Sequence, residues 1–401
     1  MVCTEKGKHQ ILLFFIYLSL WWLWCSTISA YVKAENIDSM KAGDTLNASA
    51  TDKLCSKEGT YCMTFNQNTD SENLAYLSIY GQGKGDWLVW TANRDQPVDI
   101  NSVVLSLNYS GVLKLESKIG EPIILYASPP PFNNSNYIFA TLLDTGNFVV
   151  KDIQKNTTLW QSFDHPTDSL LSGMKLGVNH ETGENWSLVS SISDSIPASG
   201  PFRLEWEPTR KELVIKRREK VYWSSGKLVN NNSFEHIPGE DFKVKVVSDN
   251  KEEYFTYTTL NEDGLTKWTL LQTGQLINRE GSDIARADMC YGYNTNDGCQ
   301  KWGEVEIPTC RNSGDKFDSK PVYTSEYIEY DIPNASYGIS DCQEICWSNC
   351  SCFGFKSLYD NGTGCKILGS TKGLNVAGSA DTLFYILVKN KTDHKGTFRF
   401  N

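Results

Sequence analysis

Eight of the twelve cysteines fall between Cys290 and Cys365, and outside the first 25 residues only Cys55 and Cys62 precede them. Cross-links at that density staple modules too small to bury a sufficient apolar core, so the C-terminal end reads as a disulfide-held module. Everything before Cys290 has to fold mainly by burial. Within the module, residues 340–352 begin as a helix, with Ser340 as cap and Gln343 completing a capping box. Cys342, Cys346 and Cys350 recur at i, i+4 and i+8. Helix neighbours at that spacing have β-carbons about 5–6 Å apart, whereas a disulfide wants roughly 3.5–4.5 Å, so these cysteines staple outward to other elements. Zinc is the competing use. Structural zinc favours paired Cys-x-x-Cys or Cys-x-x-His knuckles, and the sequence has no such pair. His165, His180, His236 and His394 are scattered singly, which suits surface or loop roles, and neither a metal nor a cofactor is expected.

Lys6 and Lys8 lead into the uncharged residues 11–25, then into Ser26, Thr27, Ser29 and Ala30. Basic, apolar and small segments in that order make residues 1–30 a secretory signal, with cleavage between Ala30 and Ala34. An uncleaved anchor is the alternative, its apolar run being short for a bilayer span. Without Cys3 and Cys25 an even ten cysteines remain, suited to an oxidising space. N-glycosylation sequons stand at Asn47, Asn108, Asn133, Asn156, Asn185, Asn231, Asn334, Asn349, Asn361 and Asn390, spread from end to end as in a secreted protein with exposed loops. The middle residue of the Asn349 sequon is Cys350. The net charge of −10 and pI near 5.2 argue against nucleic acid as a partner. The one basic run, residues 211–220, reads as an exposed strand with solvated charges; a partner-binding patch is the other reading.

From residue 37 to 155 the chain shows short β-branched, aromatic or alternating runs, among them 74–80, 87–91, 103–107, 112–115, 123–126, 137–143 and 148–151. Their spacing indicates an all-β barrel or prism. Tyr109-Ser-Gly-Val-Leu-Lys-Leu115 and Asp144-Thr-Gly-Asn-Phe-Val-Val150 share a polar pair, a glycine and an alternating strand. The unit returns at Glu262-Asp-Gly-Leu265 and Gln272-Thr-Gly-Gln-Leu276, so the part after residue 159 reads as a diverged second copy. Pro129-Pro-Pro131 with Phe132-Asn-Asn-Ser135 is a stiff, polar connection.

Residues 159–177 crowd Ser162, Asp164, His165, Asp168 and Ser169 between Trp160, Phe163, Leu170, Leu171, Met174 and Leu176. These are residue types of nucleophilic catalysis, but a triad needs groups that converge from a scaffold. The structural reading is preferred: the polar residues serve as turn and cap groups, and the apolar ones anchor a junction between two β units.

Trp87-Leu-Val-Trp-Thr-Ala-Asn-Arg94, Leu142-Leu-Asp-Thr-Gly-Asn-Phe148 and the stretch from Trp160 to Gly177 resemble the ectodomain of plant G-type lectin S-receptor-like kinases. Cys342-x-x-x-Cys346-x-x-x-Cys350-x-Cys352, with Gly362-Thr-Gly-Cys365, is similar to that family's PAN/apple module. The resemblance implies a mainly β chain: two tandem bulb-lectin-like β-prism domains, then a disulfide-rich EGF-like remnant and an α+β PAN/apple module. The expected bounds are 31–158 for the bulb-type lectin domain, 159–286 for the S-locus glycoprotein or second lectin-like domain, 287–320 for the EGF-like remnant, 321–392 for PAN/apple and 393–401 for a tail.

The family pattern implies the pairs Cys342–Cys365 and Cys346–Cys352. It also implies an EGF-like set reduced to Cys290–Cys299, a Cys310–Cys350 link between modules, and a local Cys55–Cys62 loop. Bulb lectins bind mannose with Gln-x-Asp-x-Asn-x-Val-x-Tyr. Aligned on the glycine or asparagine of the turn, this chain offers Leu107, Tyr109, Gly111, Leu113 and Leu115, then Leu143, Thr145, Asn147, Val149 and Lys151. Only Asn147 and Val149 remain as ligand-binding candidates, and a site built on polar contacts fails when they are removed.

No His-Arg-Asp or Asp-Phe-Gly occurs, and Gly81-Gln-Gly-Lys-Gly85 lacks the spacing of a phosphate loop, so no catalytic residue is expected. The implied function is recognition, in pollen recognition or defence signalling, by a secreted apoplastic glycoprotein. The expected partner is a protein or peptide ligand or a related receptor-like kinase, with a glycan or a second copy of the chain also considered. A carbohydrate-binding lectin and a truncated plasma-membrane receptor kinase are the alternative readings.

Overall fold

The computed structural model describes residues 38–48, 52–67, 73–83, 85–127, 137–229, 233–237, 242–260, 266–322, 328–369 and 383–389. The leader, the connection at residues 129–135, the turn unit at 262–265, the sequons at Asn133, Asn231 and Asn390, and the tail lie outside them. The described residues form eight antiparallel sheets and one α-helix.

Three sheets enclose the first core. Ser39–Lys41 pairs with Ile138–Leu142, followed by Phe148–Asp152 and Thr157–Gln161. Thr45–Asn47, Val104–Leu107, Leu113–Glu116 and Ile123–Tyr126 form the second sheet. Leu54–Cys55, Tyr61–Gln67, Leu74–Gly81 and Trp87–Thr91 form the third, with Val98–Asp99 on Leu74–Gly81. The second three repeat the plan. Ser169–Leu171 pairs with Lys267–Leu270, followed by Gln275–Asn278 and Asp283–Arg286, so in both halves the first strand joins the last three. Leucines and aromatics on the inward faces of all six sheets merge into one continuous core that runs from Met40 to Cys299.

The repeated turn is the same object in three places. Gly111, Gly146 and Gly274 have φ of 72°, 83° and 92°, in the left-handed region that a side chain disfavours. Each donates its N–H to the carbonyl three residues back, at 3.0, 2.9 and 2.9 Å: Asn108, Leu143 and Leu271. These bonds fix the register between repeats. Val112, rather than Gly111, follows the turn glycine and so corresponds to Asn147, and Gln275 is the third equivalent. The alignment on Gly111 is thus one residue out, because the hydrogen bond fixes the glycine's place in the turn.

The C-terminal module is a five-stranded sheet in the order Lys316–Pro321, Leu383–Val388, Cys352–Ser357, Cys365–Gly369, Ile328–Ile332, crossed by the helix α1, Ile339–Ser348. Five disulfides are closed: Cys55–Cys62, Cys290–Cys299, Cys310–Cys350, Cys342–Cys365 and Cys346–Cys352.

Two local expectations are corrected. The helix is capped at Gly338 instead of Ser340, because the Asp341 carboxylate accepts the Gly338 N–H at 3.0 Å and so satisfies a donor ahead of the first turn. Ser340 falls inside that turn, and Cys350 lies beyond the helix end at Ser348. The basic run is not a solvated strand either. Glu212–Arg217 is buried along most of its length, because it is an inner strand of its sheet with Leu213 and Ile215 in the core, while Lys211, Arg218 and Lys220 beyond its ends stay exposed. Arg217, 6% exposed, pairs with Asp341 at 2.6 Å and with Glu344, and Arg218 reaches Asp341 at 2.7 Å.

Candidate functional site

Asn147 and Val149, the two residues left of the lectin motif, open the strand Phe148–Asp152 and are both buried. Every polar atom of the Asn147 amide is used internally. Its Oδ1 accepts the Ser162 hydroxyl and the Phe163 N–H, both at 3.2 Å, and its Nδ2 donates to Gln161 Oε1 at 2.9 Å. The equivalent residues in the other turns are Val112 and Gln275. Val112 has no polar side-chain atom, and Gln275 bonds Thr273 and Asp283. Leu107, Leu113 and Leu115, aligned on Gly111, are core and Tyr109 is exposed; in the corrected register the positions are Asn108, Ser110, Val112, Lys114 and Glu116, none of them buried, and Thr145 is exposed on its turn. The turn geometry of a lectin repeat persists, while the one asparagine of the motif that remains, Asn147, is turned inward.

The partners of Asn147 are the start of the polar cluster at 162–169. Ser162, 1% exposed, also accepts the Phe148 N–H at 3.0 Å. Asp164 accepts the Gln161 amide at 3.0 Å, and His165 stacks on Trp160 with centroids 5.3 Å apart. The His165 carbonyl takes the Trp90 indole N–H at 2.8 Å. Asp168 accepts Ser169 Oγ at 3.1 Å, and its charge favours the cationic forms of Arg94 and Lys267, which burial penalises. Serine, histidine and aspartate thus bond to different neighbours, and their geometry makes a junction instead of a triad. Leu170, Leu171 and Met174, at most 2% exposed, sink the chain into the second core directly afterwards.

Burial pushes the Asp164 carboxyl above the usual carboxylate range, more than the Gln161 hydrogen bond draws it down. A carboxyl with a raised folded pKa is bound to its proton longer in the folded state, so stability falls as pH climbs from the ordinary carboxylate pKa through the raised one. Asp164→Asn, which keeps an acceptor for Gln161, is expected to raise the melting temperature at pH 7 and to leave it unchanged at pH 3. Paired thermal melts read this directly.

Arg94, the last residue of the Trp87–Arg94 motif, ties the two halves together. Its Nε donates to Pro197 O at 2.7 Å, and its two terminal nitrogens donate to Val189 O and Ser190 O at 2.9 Å. Asp95 adds the Ser199 N–H at 2.7 Å. An arginine closing a tryptophan-rich strand was the available signal, but its acceptors are carbonyls about a hundred residues away, which no local pattern displays.

Among the described residues no helix is long and apolar enough to cross a membrane. Residues 88–191 match the D-mannose binding lectin family, and residues 310–371 match the PAN-like domain. A G-type lectin S-receptor-like serine/threonine-protein kinase of Arabidopsis thaliana is 31% identical over 314 residues, covering 74% of this chain and 37% of its own length. An S-locus-specific glycoprotein of Brassica oleracea var. alboglabra is 26% identical over 414 residues, covering 90% of this chain and 92% of its own length. A monomeric mannose-binding lectin of Gastrodia elata is similar at 21% identity, over 31% of this chain and 96% of that one, with a TM-score of 0.22. The chain spans well under half the length of the receptor kinase it matches. The matched domains are binding modules, and no catalytic family is among them. The chain carries a bulb-type lectin domain followed by a PAN-like domain, and it is a homologue of the G-type lectin S-receptor-like kinases and the S-locus glycoproteins.

Proposed function

We propose that this recognition glycoprotein works outside the cell and that its partner is a protein or peptide, including the ectodomain of a related receptor-like kinase. The observation that carries this reading is the buried Asn147 amide, whose oxygen and nitrogen both bond within the protein, to Ser162, Phe163 and Gln161. A lectin repeat in that state keeps its scaffold and loses its grip on mannose. The working units are 31–158, 159–286, 287–320 and 321–392, after a leader over 1–30. Whether the partner belongs to pollen recognition or to defence follows from its identity.

The test is cross-linking in extracellular fluid, identification of the captured protein, and titration of that purified partner against the purified glycoprotein. Saturable one-to-one binding supports the reading, and no saturable binding by any captured candidate rejects it.

The exposed sequons carry N-glycans in this reading. Asn349 is the exception, because its Nδ2, the atom a glycan would take, donates to the Tyr330 hydroxyl at 2.8 Å. Glycopeptide mass spectrometry is expected to find sugar on Asn156 and Asn185, both exposed, and bare Asn349.

A further inference from the structure

The turn between the strands Leu188–Ser191 and Ser199–Glu207, residues 192–198, reaches from the second lectin-like half to the PAN-like domain. Two loops of that domain close on it. Ser193 Oγ donates to the Asn361 carbonyl at 2.5 Å, and Gly362 lies so near Ser193 that a side chain there would collide with it. In the other loop, a Cβ on Gly338 would come within 2.8 Å of the Ile192 carbonyl. Two clefts remain along this contact, one of about 540 Å³ lined by Ala335 and Ser336 and one of about 350 Å³ lined by Asn361, and Ile192 lines both as the ridge between them. Each gripping loop carries a sequon, Asn334-Ala-Ser336 and Asn361-Gly-Thr363. We propose that Asn334 and Asn361 carry N-glycans whose first sugars occupy these clefts and hold the PAN-like domain on the second lectin-like half.

The two amides leave open the atom that a glycan takes. Asn334 Oδ1 accepts the Ser336 N–H at 3.0 Å, and Asn361 Oδ1 accepts the Thr363 N–H at 3.1 Å and the Thr363 hydroxyl at 2.8 Å. Both asparagines are half-exposed, and neither Nδ2 has a hydrogen bond among the described residues. Asn349 of the same domain differs, since Tyr330 takes its Nδ2. Modification joins Nδ2 to the anomeric carbon of an oligosaccharide and releases one amide proton, while the sugar's bond to its diphosphate carrier breaks and the diphosphate leaves with the electron pair. The proposal rests on reading the chain as a glycoprotein of the secretory path.

The clefts suit a sugar that is already tethered. Arg218 and Glu219 are exposed at the larger, Asp194 and Asp360 at the smaller, so both offer hydrogen-bonding groups that solvent reaches. Leu383, 61% exposed, gives the smaller an apolar side. Both volumes lie within the ~300–1,000 Å³ of small-ligand sites, and a sugar attached at the rim is present at high effective concentration, so weak contacts suffice to seat it.

The test uses the whole glycoprotein and two readouts. Glycopeptide mass spectrometry is expected to find sugar on both Asn334 and Asn361. Amide hydrogen exchange reads the contact. Asn334→Asp with Asn361→Asp removes both sequons and keeps the oxygens that Ser336 and Thr363 bond, and it is expected to speed exchange in residues 192–198 and 338–345 about 10-fold. Complete enzymatic removal of glycans from the folded protein leaves the same aspartates and should give the same rates, whatever the variant does during folding. Trimming to one N-acetylglucosamine per site should leave the rates native, because the first sugar fills the cleft. Asn185→Asp, which removes a sugar elsewhere, should also leave them native. Sugar on both sites with exchange unchanged after its removal overturns the proposal, and so does equal acceleration in Asn185→Asp. Bare Asn334 and Asn361 beside sugar on Asn156 and Asn185 overturns it too, and leaves the secreted recognition reading standing.

Discussion

Arg311→Ala is expected to unfold the C-terminal module well below the temperature at which the native protein melts. The Arg311 guanidinium is 6% exposed and donates to four carbonyl oxygens: Cys346 at 2.7 Å, Trp347 at 3.1 Å, and Asn349 and Cys352 at 2.9 Å. These are the last carbonyls of α1 and the start of the next strand, where a helix leaves acceptors unmatched. One side chain therefore supplies the C-terminal cap that the sequence after Ser348 does not. Truncation removes the side-chain donor from all four carbonyls and leaves those of Cys346 and Asn349 with a backbone N–H each, at a cost of about 2–3 kcal/mol. Lysine should rescue little, since a single ammonium cannot span the fork that a planar guanidinium fills. The check is denaturant unfolding of the disulfide-intact protein followed by amide hydrogen exchange in residues 339–357. A loss under ~1 kcal/mol for Arg311→Ala would show that the caps are redundant with the disulfides.

The sequence displays what is local and periodic. Strands such as Trp87–Thr91, Phe148–Asp152 and Glu212–Arg217 are visible because β-branched and aromatic residues recur between turn signals. The repeated turns are visible because each needs a glycine at positive φ. Tyr61–Gln67 escaped that reading: its burial runs from fully buried to exposed along its length without alternating, so it shows no period of two.

The misread features are those decided by a distant element. Residues 211–220 look like a solvated charge run until α1 is placed against Arg217, and Ser340 looks like a cap until Asp341 reaches back to Gly338. The candidate site follows the same rule. That Ser162, His165 and Asp168 would not act together could be suspected from their crowding. That Ser162 holds Asn147 and that the Asp168 charge acts on Arg94 and Lys267 depends on strands far apart in sequence. The cysteines are the limiting case, since spacing along a chain says that Cys342 and Cys346 staple outward and leaves open to what.

Arg94→Ala is expected to separate the unfolding of the two prisms. The three carbonyls that Arg94 holds belong to Val189, Ser190 and Pro197, all in the second half, while Arg94 itself follows the strand Trp87–Thr91 of the first. Burial depresses its pKa, and Asp168 and Asp95 offset part of that penalty, so the cation and its charges form a balanced set at the junction. Losing the guanidinium strands three carbonyls and leaves Asp168 with Lys267 as its remaining buried cation, a cost of about 2–4 kcal/mol. Each prism keeps its own leucines and aromatics within the continuous core from Met40 to Cys299, so the loss should fall on the polar part of the coupling. Calorimetry is then expected to resolve two transitions where the native protein gives one, and limited proteolysis to cut within residues 161–168. Arg94→Lys should lie between, since it keeps the charge beside Asp168 and loses the three-way bonding. One unbroken transition in Arg94→Ala at native temperature would mean that the apolar junction of Trp90, Trp160 and Leu170 couples the halves unaided.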